Sequence, residues 1–306
     1  MLVINDYKKV NTAGGTVLAI GNFDGVHKGH QKMLDTLKKV SYDFGVPSVV
    51  YTFCEHPINV MNKANAQPLL YSNEEKAELM EQSGIHTLFF EDFSKVREIE
   101  AEDFVKEILV DKFNVSAVVI GADGKFGKKG IGDSVLLEKM GKIYGFSVFV
   151  VEEVKLSGVV CSSTEIRKRI AEGHIDKANE MLTRPYSVKG EVVRDKQLGR
   201  TYGYPTANMM INSIYIKPKR GVYATEVVID GVIKKAITNV GTTSFDNDDK
   251  ERIESHILDF SGDLYGKTIE VRYLYYMRDF KNFVSTEELK NQLDEDKKMR
   301  ILGGNI

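Results

Sequence analysis

The 306 residues carry a formal net charge of −2, with 42% hydrophobic and 28% charged side chains. That balance supports a sizeable core in each of two domains. It excludes a molecule that grips polyanions through its overall charge, so any attraction for phosphate is local and no nucleic-acid partner is expected.

Two distant cysteines, Cys54 and Cys161, argue against a disulfide framework and fit a reducing cytoplasm. No apolar run approaches the ~20 residues that a membrane helix needs, so the chain reads as soluble and cytoplasmic. "TVLAI" (16–20) is the first buried strand, followed by Met33, Leu34, Leu37, Val40 and Phe44 on one helix face, with Gly45 as the stop. "PSVVYTF" (47–53), "HTLFF" (86–90), "SAVVI" (116–120) and "FSVFVV" (146–151) read as further strands. Between them lie helical patterns: one opened by the capping box "SNEE" (72–75), one marked by Phe104, Val105, Ile108 and Leu109, one by Val135, Leu136, Met140 and Ile143. Continuous apolar strands alternating with helices predict a doubly wound parallel sheet covered on both faces, an α/β domain over residues 1–183.

Short helices are expected at 163–172 and 175–182, and the period changes to two after Pro185. Tyr223, Thr225, Val227 and Ile229 alternate, Asp230-Gly231 offers a two-residue hairpin turn, and Ile233, Lys235 and Ile237 continue on the return. Ile269, Val271 and Tyr273 alternate with Glu270 and Arg272. This predicts a small antiparallel β-barrel over residues 184–306. A C-terminal helix, opened by "STEE" (285–288), is expected to carry Leu289 and Leu293 on one face.

Open parallel sheets bind ligands beyond the carboxyl ends of their strands, and "GNFDGVHKGHQ" (21–31) lies at such an end. A helix N-terminus there attracts phosphate. His27 and His30 share one face of its first turn, and Gly29 lets a ligand approach the backbone. Two imidazoles could donate to oxygens on which charge grows; a metal pair or a plain solvated helix start are the other readings of the same spacing. Lys125, Lys128 and Lys129 follow the fourth strand and supply local positive charge. Ser162, Ser163, Thr164 and Arg167 combine a helix start, hydroxyls and a guanidinium, a phosphate clamp. Ser162 also reads as an N-cap boxed with Glu165.

In the second half, "GRTYGYPTANM" (199–209) offers Thr206 and Asn208 as hard oxygen ligands suited to Mg²⁺ beside phosphates, or else an ordinary turn. Glu254 in "ERIESHILDF" could take a proton from an attacking alcohol, or lie on a solvated strand face.

GxFDGxHxGH is similar to the nucleotidyltransferase signature. Together with "SSTEIR", PTAN and ExHxxDF, the chain from roughly 14 to 300 resembles the prokaryotic bifunctional riboflavin kinase/FMN adenylyltransferase family, or FAD synthetase. The resemblance implies a nucleotidyltransferase-like first domain and a riboflavin kinase barrel, with ATP and Mg²⁺ as cosubstrate and cofactor and riboflavin, FMN and FAD as substrates and products. It implies that His27 and His30 are catalytic in the first domain and Glu254 is the kinase base. Gly21, Phe23, Asp24, Gly29, Ser162, Ser163, Thr164, Arg167 and Gly199 would bind nucleotide or phosphate. Thr206 and Asn208 would hold Mg²⁺ and the phosphates, and Asp123, Phe126 and Asn239 would face the flavin. The chain departs from the family pattern at "DGKFG" (123–127), where the usual form is like DFRFG, and at "NVGTTSF" (239–245), where Pro-Thr is customary after the turn. "LTRPY" (182–186) replaces the usual LGRPY, and "VRDKQLGR" (193–200) lacks a customary glycine.

Overall fold

The computed structural model describes residues 1–194, 203–210, 214–241 and 252–303. Its contacts divide the chain into two compact units, Met1–Ser163 and Thr164–Ile306.

The first unit runs β1 (Leu2–Ile4), β2 (Thr16–Ile20), α1 (Lys28–Phe44), β3 (Ser48–Phe53), α2 (Pro57–Met61), α3 (Asn73–Gln82), β4 (Thr87–Glu91), α4 (Phe93–Val96) and α5 (Ala101–Asp103). A π-helical stretch over Phe104–Val110 leads to β5 (Val115–Gly121), α6 (Ser134–Tyr144), β6 (Ser147–Val151) and a small hairpin of β7 (Lys155–Leu156) and β8 (Val159–Val160). The sheet order is β1-β4-β3-β2-β5-β6, with every pairing parallel. All five residues of β2 are buried, as expected of a central strand with helices on both faces. Leu18, Tyr51, Phe89, Phe104, Phe113, Val118 and Leu137 form the centre of this core. The edge strand β1 has no counterpart among the expected strands: it is three residues long and exposes Leu2 and Val3, too little for an alternation to register. The strand order reverses between β2 and β5, so a crevice opens at their carboxyl ends, beside Gly21 and Gly121. The Ser72 capping box on α3 is formed in both directions.

The division falls at the first residue of α7 (Ser163–Glu172), so the second unit opens with the rest of that helix and α8 (Ile175–Met181). These pack onto the barrel: Asn179 donates through Nδ2 to the Tyr273 carbonyl (2.8 Å) and accepts from the Tyr186 amide (2.8 Å). The compact division therefore falls at the start of the two helices, whereas the change of sequence period follows them. The barrel is β9 (Ser187–Val193), β10 (Thr206–Met210), β11 (Gly221–Ile229), β12 (Val232–Gly241), β13 (Arg252–Ile257) and β14 (Thr268–Arg278), closed in the order β10-β13-β12-β11-β14-β9.

Asp230 (φ 49°) and Gly231 (φ 81°) form the hairpin turn, a left-handed pair that matches strand twist. That turn pairs Ile229 with Val232, so Thr225 faces Ala236 and Tyr223 faces Thr238. Ile233, Lys235 and Ile237 thus lie on the opposite face from Tyr223, Thr225 and Val227, because a two-residue loop fixes register. On the buried face, hydroxyls join across strands: Thr225 to Thr238 at 2.7 Å and Thr238 to Ser255 at 2.8 Å.

The last helix, α9 (Thr286–Leu302), starts at the Ser285 cap. Leu289 and Leu293 are only half-buried, and its buried residues are Asp296 and Arg300. Asp296, fully buried, takes a bidentate pair from Arg278 (2.9 and 2.7 Å). Arg300 donates to the carbonyls of Thr225 (3.0 Å) and Ala236 (3.3 Å). Polar anchors hold this helix. Removing one partner of a buried pair strands the other charge, at about 3–5 kcal/mol. Asp296→Ala should lower stability by that amount, read as a shifted urea midpoint.

Candidate active sites

The first site is built by the turn between β2 and α1. Phe23 (φ 49°) and Val26 (φ 37°) both occupy the left-handed region, which costs on the order of 1–3 kcal/mol per residue and persists only where surroundings over-determine it. Those surroundings are visible. Asp24 is buried and accepts from the Leu70 amide (3.1 Å), and its carbonyl accepts from Ser163 Oγ (2.8 Å). The Asn22 carbonyl accepts from Thr52 Oγ1 (3.0 Å) and Lys76 Nζ (2.9 Å).

His27 is the N-cap of α1. Its Nδ1 accepts from the His30 amide (3.3 Å), which in the neutral ring puts the proton on Nε2, a donor. The His27 and His30 rings stack at 3.6 Å, with Phe23 5.1 Å from His30. A Cβ at Gly29 would lie 3.0 Å from His27 Cε1 and 3.3 Å from the Cys161 carbonyl, and one at Gly21 would lie 3.0 Å from the Phe23 ring. Both glycines thus make room for this stack. Among the described residues no three His, Cys, Asp or Glu side chains gather to hold a metal. The stacked rings and the capping role of His27 also do not suit a chelating pair.

Ser163 ties the loop down, and Ser162 lies beside it at the end of the first unit. Thr164 and Arg167 fall in the second unit, with Arg167 buried on α7. The loop after β5 differs from expectation. Phe126 is buried against Phe104 (5.6 Å) and covered by Gly132, so its ring packs into the core of the first unit. Asp123 is exposed. A Cβ at Gly124 would come within 2.4 Å of Ile120 Cγ1 and 2.9 Å of the Gly121 carbonyl, so this turn has no room for the side chain that the family pattern carries there. Lys125 pairs with Asp133 (3.5 Å) and Lys128 with Glu100 (3.0 Å). The expected local positive charge is therefore largely offset.

The second site lies on three neighbouring barrel strands. Asn208 pairs with Glu254, and Glu254 pairs with Asn239. Directly opposed residues share a face, so the three side chains form one row, ~5 Å apart by strand spacing. Thr206, two residues before Asn208, shares that face, and Asn208 Nδ2 reaches Thr206 Oγ1 at 3.4 Å. The Oδ1 atoms of Asn208 and Asn239 are buried with no hydrogen-bond partner, the mark of a polar site shaped for something else. Two residues further along the strand and on the same face, opposite Thr206, His256 Nδ1 meets the Pro205 carbonyl (2.9 Å) and its ring lies 5.0 Å from Tyr204, whose hydroxyl bonds Asp294. Gly199, Thr243 and Ser244 lie outside the described residues.

The FAD synthetase family model matches residues 9–165 and the riboflavin kinase model residues 182–301. A bifunctional riboflavin kinase/FMN adenylyltransferase of Buchnera aphidicola is 33% identical, over 96% of this chain and 94% of its own. That of Listeria monocytogenes is 35% identical, over 92% and 90%. The chain belongs to the bifunctional riboflavin kinase/FMN adenylyltransferase family. A crystal structure from Streptococcus pneumoniae, described as a macrolide-efflux protein, has a TM-score of 0.87 at 29% identity and covers 98% of both chains. Among the described residues no helix of this chain is long and apolar enough to cross a membrane.

In this member of the riboflavin kinase/FMN adenylyltransferase family, burial pushes the His30 imidazole well below its ordinary range, helped by His27 and by the Lys76 ammonium. Its Nδ1 is buried without a partner. A depressed folded-state value means that the unfolded chain binds the proton more readily. This residue's contribution is intact above the unfolded value, about 6.5, and is lost progressively as pH falls below it. Calorimetric melting should drop between about pH 7 and 5, and the drop should shrink in His30→Gln. Lys76 has no counterpart among the expected site residues. A lysine four residues after a helix cap looks like any solvated side chain until the fold buries it.

Proposed function

We propose that the chain phosphorylates riboflavin to FMN and then adenylylates FMN to FAD, using one ATP in each step, in the cytoplasm. The observation that carries this reading is the row Asn208–Glu254–Asn239, with two orphaned amide oxygens beside a carboxylate, in a chain that also holds the stacked His27–His30 pair at a helix start. We assign adenylyl transfer to residues 1–183 and the kinase to 184–306, a division supported by a riboflavin kinase match that starts at residue 182.

In the kinase step the Glu254 carboxylate takes the proton from the terminal ribityl hydroxyl of riboflavin. The oxygen bonds to the γ-phosphorus, the bond from that phosphorus to the β-bridging oxygen breaks, and ADP leaves with the electron pair. The donor set fits Mg²⁺: Thr206 Oγ1 and the partnerless Asn208 Oδ1 are hard oxygens on neighbouring side chains of one strand face, the Asn208 amide reaching Thr206 through Nδ2. They would hold the ion, which neutralises charge on the phosphates when bound. Asn239, next to Glu254 in the row, would orient the flavin chain.

In the adenylyl step an anionic oxygen of FMN bonds to the α-phosphorus of ATP, and pyrophosphate leaves. No proton has to move first, so the protein supplies position and charge stabilisation. The His27 Nε2–H and the amides at the start of α1 are the donors, and His30, kept neutral, packs the first imidazole in place. Chromatography of riboflavin incubated with ATP and Mg²⁺ tests this reading: FMN should appear first and FAD after it. EDTA should stop FMN formation. Unchanged riboflavin, or FMN that never becomes FAD, would refute the two-step reading.

A further inference from the structure

Lys76 takes no part in either reaction as described, yet it is buried at 7% exposure under the first site. It sits in the first turn of α3, its ammonium 2.9 Å from the Asn22 carbonyl and 5.7 Å from the centre of the Phe90 ring. It lines a narrow cleft with Asn22, Asp24, Phe53, Cys54 and His56. The ionisable groups around it are Asp24 from the loop, Cys54 and His56 from the end of β3, and His30 from α1.

Burying an ammonium is costly unless it holds something. What this one holds is the carbonyl immediately before Phe23, where the chain turns left-handed. The Phe23 ring then lies 5.1 Å from His30, which stacks on His27.

We propose, on the adenylyl-transfer reading above, that Lys76 is a positioning residue for that step: its grip on the Asn22 carbonyl sets the Phe23 ring against His30 and so aims the stacked imidazoles. The ammonium also offsets the buried Asp24 charge. Burial lowers Lys76 to about 8, an effect that Asp24 opposes. The ammonium is therefore half-charged near pH 8, and the grip weakens as the pH rises through that value. The depressed value also means that losing this proton does not destabilise the fold between about 8 and 10.5. An activity loss in that window would be positional, not unfolding.

The test follows FAD formation from FMN by the full chain between about pH 6.5 and 9.5, with wild type, Lys76→Met and Lys76→Arg. Misplacement of a catalytic group by about 1 Å costs on the order of 100-fold. Lys76→Met should lower kcat by about that factor, with KM for ATP and FMN within about 3-fold and riboflavin phosphorylation unchanged. The wild-type kcat should fall above about pH 8, and Lys76→Arg, whose guanidinium stays charged, should remove that limb. Lys76→Met within about 3-fold of wild type, or a loss confined to KM, would overturn the proposal, as would an unmoved alkaline limb in Lys76→Arg. If Lys76→Met does not fold, the Lys76→Arg profile decides.

Should the wild type make no FAD, the adenylyl-transfer reading fails by itself, and NMR of the histidine rings judges the arrangement. Replacing Lys76 should then raise the His30 midpoint and shift both stacked rings; unchanged resonances would refute the coupling.

Discussion

Glu254→Gln should abolish FMN formation from riboflavin, by about 10²–10⁴-fold, while FAD formation from supplied FMN continues at the wild-type rate. The range is what a positioned general base contributes. The substitution keeps side-chain size and the strand pairings to Asn208 and Asn239, so barrel packing should survive and the loss should fall on kcat rather than on KM. Rates of each half-reaction, measured separately with riboflavin or FMN as the only flavin, check this. Retained kinase activity would move the base elsewhere and leave Glu254 as a plain strand residue.

The reciprocal result is expected at His27. Its imidazole has two duties, which substitution can separate. Nδ1 caps α1 by accepting from the His30 amide, and Nε2–H is the donor toward transferring phosphate. Asparagine is among the best N-caps, so His27→Asn should keep the helix start while removing the donor. FAD formation should fall by about 10²–10³-fold, the cost of one lost donor to developing charge, with melting temperature unchanged. His27→Ala should lose the donor and, in addition, about 1 kcal/mol of stability from the missing cap. Phosphorylation of riboflavin should be untouched in both. Equal rates of FAD formation in His27→Asn and wild type would leave His27 as a cap only.

The layout of the fold was written in the local pattern. The uninterrupted apolar run of β2 could only be a central parallel strand, and Asp230-Gly231 could only be a tight hairpin. The Ser72–Glu75 box marked the start of α3 to the residue. What escaped the sequence depended on partners distant in the chain. Leu289 and Leu293 are the side chains that a helix pattern selects, but Asp296 and Arg300 hold α9, because an arginine on β14 and two strand carbonyls await them. The alternation left open which face of the return strand meets Tyr223 and Thr225, since register is set by loop length and not by the alternation that both faces share.

Much the same division holds for the sites. The residues singled out in each half do meet in the fold: His27 stacks on His30, and Asn208 pairs with Glu254. The packing of Phe126 was not legible: an aromatic beside glycines reads as a ligand contact, and only the fold shows Gly132 and Phe104 against its ring. Lysines 125 and 128 looked free until Asp133 and Glu100 met them. Lys76 was invisible, because burial of a charged side chain leaves no mark on its neighbours in sequence.

The central claim is that one chain breaks two different bonds of ATP. Following label from ATP marked at the γ-phosphorus, and separately at the α-phosphorus, tests it most directly. The account predicts γ-label in FMN and, carried forward, in FAD, with α-label entering only FAD. Flavin that takes up neither label, or α-label without γ-label when riboflavin is the sole flavin supplied, would contradict it.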